Sequence, residues 1–462
     1  MSIQPVRVGL LSFVSPAKHW PESGLTAARQ WLLAARDTIS SLELTVEDVG
    51  ELTRTPQQAA AHGAALAARG AQVLVLYVGC WSFATAVVAA AQASGLPAVL
   101  WTNARKDTGG LIGAAAARGA LAEIGRCAPL LYGDFTDPQL REDLREILIG
   151  LSTARRLRGL TYGQGGANTL GMVTAAVDPN QWRQQFGIDT DYYDTTEVLE
   201  LARGWPEPEV RDFLTWLKGY FGRVTVSDEV AEAQVRLFLA LSSIIQERGF
   251  DFISVRCLPE MPSIYTTFCL AHALLNDGLS PKGLGPPLVC SCETDANAAL
   301  TMQLLQLVSG DVTAMGDLRH LDPQTRILSV SNCGSQPTRL APAPREVHWV
   351  PHGFQEFPWR IGGMAPQYVC RPGRVTLARL GRLNGRYAMM VTSGEALPAA
   401  RDQLRETFWE FSPHAFIRLD CSPHAFLANL LSNHISLAYG DLARRLEWAC
   451  QALDVEPIIL EK

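Results

Sequence analysis

Glu293 and Asp317 each close a short apolar run, Pro287-Leu288-Val289-Cys290-Ser291-Cys292 and Val312-Thr313-Ala314-Met315-Gly316, with one helix-length segment between them. That pattern reads as strand, helix, strand. Neighbouring parallel strands lie about 4.8 Å apart, and functional groups of open α/β sheets collect beyond the carboxyl ends of the strands, so the two carboxylates are expected to converge. Facing carboxylates repel unless a proton or a cation sits between them. A divalent metal ion is the first candidate.

Thr294 and Asp295 follow Glu293, and either can cap the next helix, whose first N–H groups would then point near the carboxylate. Capping is the ordinary role for Asp295. Glu260, just after the run Phe252 to Cys257 and Leu258-Pro259, can reach the same sheet edge, although a surface place suits it as well. A histidine would complete a metal site. His19, His62, His272 and His348 stand alone and read as surface or satisfied core residues. His434 lies in Leu431-Ser432-Asn433-His434, where Ser432 or Asn433 can cap a helix from about Asn433 to Leu453, so its ring is expected at a helix amino end. Taken alone, that place also suits a structural histidine.

The elements that must position these groups alternate. Val6 to Val14, Leu42 to Val46, Val73 to Val78 and Ala98 to Thr102 are apolar runs of strand length separated by helical segments near Ser23 to Ser40 and Pro56 to Arg69. Such runs indicate a parallel sheet covered on both faces. A second α/β unit starts near Arg158-Gly159-Leu160 with a glycine-rich stretch, Gly163-Gln164-Gly165-Gly166, read as a turn because the Lys and Ser/Thr of a phosphate loop are missing. It continues through Phe252 to Cys257, a helix near Ser263 to Asn276, Leu288 to Cys292, a helix from Asp295 to Val308, and Val312 to Gly316. Beyond Pro337, prolines punctuate β-prone runs such as Arg374 to Leu380 and Tyr387 to Thr392. The expected architecture is α/β, with two doubly wound parallel-sheet domains, 1–157 and 158–338, followed by a β-rich, barrel-like domain over 339–462 that ends in a helix.

Bulk properties exclude several classes. A chain of 462 residues is too long for one core, and a net charge of −6 with scattered Lys and Arg leaves no footprint for nucleic acid. No apolar run approaches the roughly 20 residues of a membrane span. The amino-terminal apolar stretch is short for a signal segment and reads as a first strand, so a cytoplasmic location is expected. Cys290 and Cys292, one residue apart, lack the spacing of a zinc knuckle, and the cysteines read as reduced core residues.

Cys292-Glu293-Thr294-Asp295, then Gly316-Asp317-Leu318-Arg319, then Ser432-Asn433-His434 with Tyr439-Gly440-Asp441, resemble the metal-binding signature of the L-fucose and L-arabinose isomerase superfamily, nearest its fucose-isomerase branch. The interval between the two carboxylates is similar to that branch's. Gly159 through Phe186-Gly187, Cys333-Gly334, and Gly373-Arg374-Val375-Thr376-Leu377-Ala378-Arg379 extend the likeness over most of residues 150–462. The first domain matches only in layout.

The resemblance implies that Glu293, Asp317 and His434 are metal ligands and that the protein is a sugar isomerase of carbohydrate metabolism. Aldose and ketose would interconvert through a cis-enediolate, with Glu293 and Asp317 as the candidates to carry the proton. An oxygen-rich ligand set suits Mn²⁺, with Mg²⁺, Co²⁺ and Fe²⁺ as alternatives. It also implies a homo-oligomer in which a neighbour's amino-terminal domain completes the site. The chain is shorter than the fucose isomerases, which leaves the sugar open: neutral, deoxy, acidic or sulfonated. Trp349, His352, Trp359 and Arg360 offer aromatic faces for a sugar ring and a cation for an anionic substituent, with packing as the plain alternative. A sugar-binding protein without catalysis, or an epimerase or lyase working through the same enediolate, are the competing readings.

Overall fold

The computed structural model describes residues 5–16, 22–126, 128–354 and 356–461, so His19 lies outside the described residues. The chain divides into two compact units, Gln4–Arg156 with Glu447–Ala452, and Leu157–Leu446 with Leu453–Lys462.

In the first unit five strands run parallel in the order Thr45–Asp48, Arg7–Ser12, Val73–Tyr77, Ala98–Thr102, Leu130–Tyr132. Val73–Tyr77 and Ala98–Thr102 are buried along their whole length, which is why they read as unbroken apolar runs rather than alternating ones. Helices Pro56–Ala68 and Ala84–Ser94 pack backbone to backbone, because Gly63 has no Cβ to collide with the Ala90 carbonyl.

The second unit holds two sheets. Four parallel strands stand in the order Cys290–Cys292, Phe252–Val255, Thr161–Gly165, Asp189–Tyr193. Gly163 and Gly165 belong to a strand here, not to the expected turn, and each makes room for an aromatic ring, Phe250 over Gly163 and Tyr193 over Gly165. The other sheet has seven strands, in the order Gly373–Leu383, His434–Tyr439, Ala314–Leu321, Ile327–Ser331, His414–Leu419, Arg386–Ala396, Glu456–Leu460. A further pairing of Gly373–Leu383 with Arg386–Ala396 closes the first six into a barrel. The barrel draws two of its strands from before residue 339.

Two expectations about the site's supports are corrected by this layout. Asp317 does not end a strand beside Cys290–Cys292; it lies within Ala314–Leu321, which runs antiparallel between His434–Tyr439 and Ile327–Ser331 in the barrel. His434 does not start a helix. It opens the strand His434–Tyr439, Gly440 turns the chain at φ 111°, and the helix is only Ala443–Leu453. Ser432 serves the strand entry instead, its Oγ accepting from the His434 amide at 3.3 Å. Among the described residues no helix is long and apolar enough to cross a membrane.

Candidate active site

Register alone joins Asp317 and His434, which face each other across the antiparallel pair Ala314–Leu321 and His434–Tyr439. Opposed residues hold their Cβ atoms about 4.5–5.5 Å apart, close enough for short side chains to meet. Glu293 arrives from the parallel sheet by an unusual route. Both Glu293 and Thr294 have positive φ, 60° and 55°, a conformation that costs a non-glycine residue about 1–3 kcal/mol and persists only where neighbours impose it. Those neighbours are present: Thr294 Oγ1 donates to the Ala167 carbonyl at 3.0 Å, the Asp295 amide donates to Cys292 O at 3.1 Å, and Asp295 Oδ1 accepts from Ala298 N at 2.9 Å. The kink carries the Glu293 side chain to the barrel residues.

The three side chains meet at one atom. His434 Nε2 lies 3.3 Å from Glu293 Oε2 and 3.4 Å from Asp317 Oδ1, and it is buried without a hydrogen bond. Behind it, His434 Nδ1 stands 2.7 Å from Asp295 Oδ2. Asp295 is in turn gripped by Arg379, Nη1 to Oδ2 at 2.8 Å and Nη2 to Oδ1 at 3.1 Å, with both side chains 1 % exposed. Arg319 Nη2 donates to Asp317 Oδ2 at 2.8 Å while its guanidinium sits 3.5 Å from the Trp409 ring centroid. The pair turns the other oxygen, Oδ1, toward His434.

Electrostatics follow from these contacts. Burial pulls the Asp295 carboxyl upward, but Arg379 and His434 outweigh it and hold Asp295 well below the usual carboxylate range. Burial likewise opposes charge on His434, yet Asp295, Asp317 and Glu293 together raise its pKa well above the ordinary value. Glu293 is raised, chiefly by burial, whereas for Asp317 His434 and Arg319 overcome burial and lower it. An imidazole nitrogen flanked by a carboxylate oxygen on either side offers donors that a divalent cation takes, and a carboxylate on the far ring nitrogen is the usual support of a metal-bound histidine.

The structure brings Glu293, Asp317 and His434 close together, and adds supports that the sequence does not reveal. Asp295 does cap its helix, and it also fixes the His434 ring. Arg379 could have been suspected, since an arginine inside a β run must find a partner when buried; Arg319 shares a strand face with Asp317 by the two-residue period. Glu260 is outside the site, exposed and paired with Arg256. Trp349 is core, packed edge-on against Phe221, and Trp359 donates to the Phe354 carbonyl at 2.7 Å. Arg360 is exposed. His62 bonds Thr53 and Glu51, and His272 Nδ1 bonds the Phe268 carbonyl, as isolated histidines do.

His414, on the barrel strand His414–Leu419, supplies a test of the barrel's acid limit. Burial, helped by Arg319, pushes its pKa down from 6.5 to about 4, although its bond to the Ser412 carbonyl opposes this. A depressed histidine stabilises the fold above its unfolded pKa, and that contribution is lost as pH falls from about 6.5 through about 4. The full loss is about 3 kcal/mol. Urea midpoints measured at neutral pH and near pH 4.5 should therefore fall further in wild type than in His414→Gln; equal falls would remove His414 from the account.

Residues 330–460, which include Arg379 and His434, match the family described as L-fucose isomerase, C-terminal domain. The chain is 22 % identical over 319 residues to a sulfoquinovose isomerase of Alkalicoccus urumqiensis, covering 67 % of this chain and 69 % of that one. It is 25 % identical over 314 residues to a sulfoquinovose isomerase of Clostridium sp. (strain MSTE9), covering 65 % and 67 %. A sulfoquinovose isomerase of Priestia megaterium is 21 % identical over 373 residues, covering 78 % and 79 %. The domain match, these relatives and the motif order agree on an isomerase whose residues 330–460 are similar to the L-fucose isomerase C-terminal domain.

Proposed function

We propose that the protein interconverts an aldose and its ketose with the help of a divalent metal ion, Mn²⁺ before Mg²⁺, Co²⁺ or Fe²⁺, and that its substrate is a sulfonated sugar such as sulfoquinovose. The observation that carries the reading is His434 Nε2, buried without a hydrogen bond between Glu293 and Asp317 and locked from behind by Asp295. Glu293, Asp317 and His434 would hold the cation. When bound, it would polarise the sugar carbonyl and steady the negative charge that grows as a proton leaves carbon.

The protein's own groups do the rest. A proton must leave C2 of the aldose and return to C1 of the ketose on one face of a cis-enediolate, which asks for a carboxylate that can take up and release it. Burial raises Glu293, while His434 and Arg319 hold Asp317 low, so Glu293 is the group assigned to the transfer. Asp295 and Arg379 keep the His434 ring from turning.

Support for an anionic sugar comes from the relatives' names. A cavity of about 600 Å³ reaches Arg319, the partner of Asp317, and has the size for a monosaccharide, with Asp322 and Glu406 as well as Arg319 in its lining. A homo-oligomer is part of the proposal, on the family resemblance. The test is incubation of the protein with Mn²⁺ and sulfoquinovose, followed by NMR. Appearance of the corresponding ketose, abolished by chelation, is expected; a neutral sugar turned over in its place would overturn the substrate, and no turnover of either would overturn the reaction.

A further inference from the structure

A second cluster of metal-ligating side chains lies directly behind Glu293. One donor atom from each of Cys269, Cys333 and His352 lies within 4.8 Å of the other two, and the same is true of Cys292, Glu293 and Cys333. Cys333 belongs to both groups. All five residues are buried, and the cysteines are free thiols. We propose that Cys269, Cys292, Cys333 and His352 form a closed soft-metal site for a structural zinc ion, separate from the oxygen-rich set of Glu293, Asp317 and His434.

Donor chemistry and spacing support this. A tetrahedral zinc ion, with Zn–S of about 2.3 Å and Zn–N of about 2.0–2.1 Å, spaces its donors by roughly 3.5–3.8 Å; Cys269, Cys333 and His352 are already within 4.8 Å of one another, and Cys292, within that range of Cys333, would turn toward them as the fourth ligand. Thiolate and imidazole are ligands that zinc prefers, whereas Mn²⁺ and Mg²⁺ prefer oxygen. His352 is 8 % exposed, and its Nε2 is buried without a hydrogen bond, a state that costs free energy. Its Nδ1 accepts from the Phe354 amide only at 3.4 Å, a weak bond given up when the ring proton moves to Nδ1 and leaves the Nε2 lone pair for a metal. Phe354, Trp359 and Phe411 wall the ring and keep the site dry.

The backbone is shaped for the approach. Gly334 has φ 151°, and a Cβ there would stand 2.7 Å from Cys269 Cβ and 2.8 Å from Cys269 Sγ, so only glycine lets Cys333 come beside Cys269. An ordinary buried cysteine is a small apolar side chain and needs no such arrangement. Among the described residues Cys80, Cys257, Cys290, Cys370, Cys421 and Cys450 belong to no comparable group. The ion would tie together the strand end at Cys292, the helix start at Cys269, the loop at Cys333 and the segment after Trp349. That is a brace for the strained backbone at Glu293 and Thr294.

Because the site is enclosed, the metal would enter as the chain folds, so the full-length protein should be produced in cells supplied with cobalt in place of zinc. After dialysis against chelator, the purified protein is expected to keep a thiolate-to-cobalt charge-transfer band and the visible absorption of tetrahedral cobalt. His434→Ala, which cuts only the oxygen-rich set, should leave both; Cys269→Ala should abolish both. Wild-type protein without the charge-transfer band would overturn the proposal whatever the variants do. A band surviving in His352→Gln with unchanged visible absorption would overturn the ligand set.

Discussion

Glu293→Gln is expected to lower kcat by about 10²–10⁴-fold, the usual contribution of a positioned general base, while leaving the thermal midpoint close to wild type. The amide keeps the shape of the side chain, so the kink at Glu293 and Thr294, held by Thr294, Asp295 and the Ala298 amide, has no reason to relax. What disappears is the group able to accept a proton, together with one of the two carboxylates facing His434 Nε2. Circular dichroism and thermal melting would establish the fold, and steady-state rates the loss. A variant turning over near the wild-type rate would remove Glu293 from the chemistry.

Arg379→Met should cost about 3–5 kcal/mol of stability, the penalty for breaking a buried ion pair by removing one partner. The size follows from the place of the pair: Arg379 and Asp295 are both 1 % exposed and joined by two hydrogen bonds, with the Thr174 carbonyl also accepting from Arg379 at 3.3 Å. Deleting the guanidinium leaves Asp295 charged in the core with His434 as its remaining cationic neighbour. Combining Arg379→Met with Asp295→Asn should recover part of the stability, because the stranded charge is gone, but not activity, because the His434 ring loses its carboxylate. Denaturant unfolding of wild type and the two variants checks the sign: a single variant as stable as wild type would mean that Asp295 is held ionised by something else.

The parts of this arrangement that were legible in the sequence are those whose local pattern carries the signal. Val73–Tyr77 and Ala98–Thr102 announce buried parallel strands through unbroken apolar runs, and Gly373–Leu383 and Arg386–Ala396 read as strands because β-prone runs are bounded by turn residues. The strand end before Glu293 was legible for the same reason. The pattern puts Asp317 beside Glu293 but on the wrong sheet, since an apolar run of five residues does not declare whether its partners are parallel or antiparallel. The pattern puts His434 on a helix because a six-residue strand, His434–Tyr439, and the following helix, Ala443–Leu453, merge into one apolar run unless Gly440 is weighed as the break. Gly163 and Gly165, which looked like a turn, are strand residues cleared for Phe250 and Tyr193. The roles of Arg319 and Arg379 are tertiary: each is defined by a carboxylate, and for Arg379 that carboxylate is distant in sequence.

The measurement closest to the central claim is solvent-deuterium exchange. The protein is incubated with Mn²⁺ in D₂O with sulfoquinovose and a panel of aldoses and ketoses, including neutral, deoxy and acidic sugars, and deuterium is followed by NMR. The account predicts deuterium at C2 of the aldose or C1 of the ketose, dependent on metal, fastest with the sulfonated sugar, and absent in Glu293→Gln. Tightly held metal with no exchange into any sugar would contradict it and shift the weight to a lyase or a binding protein.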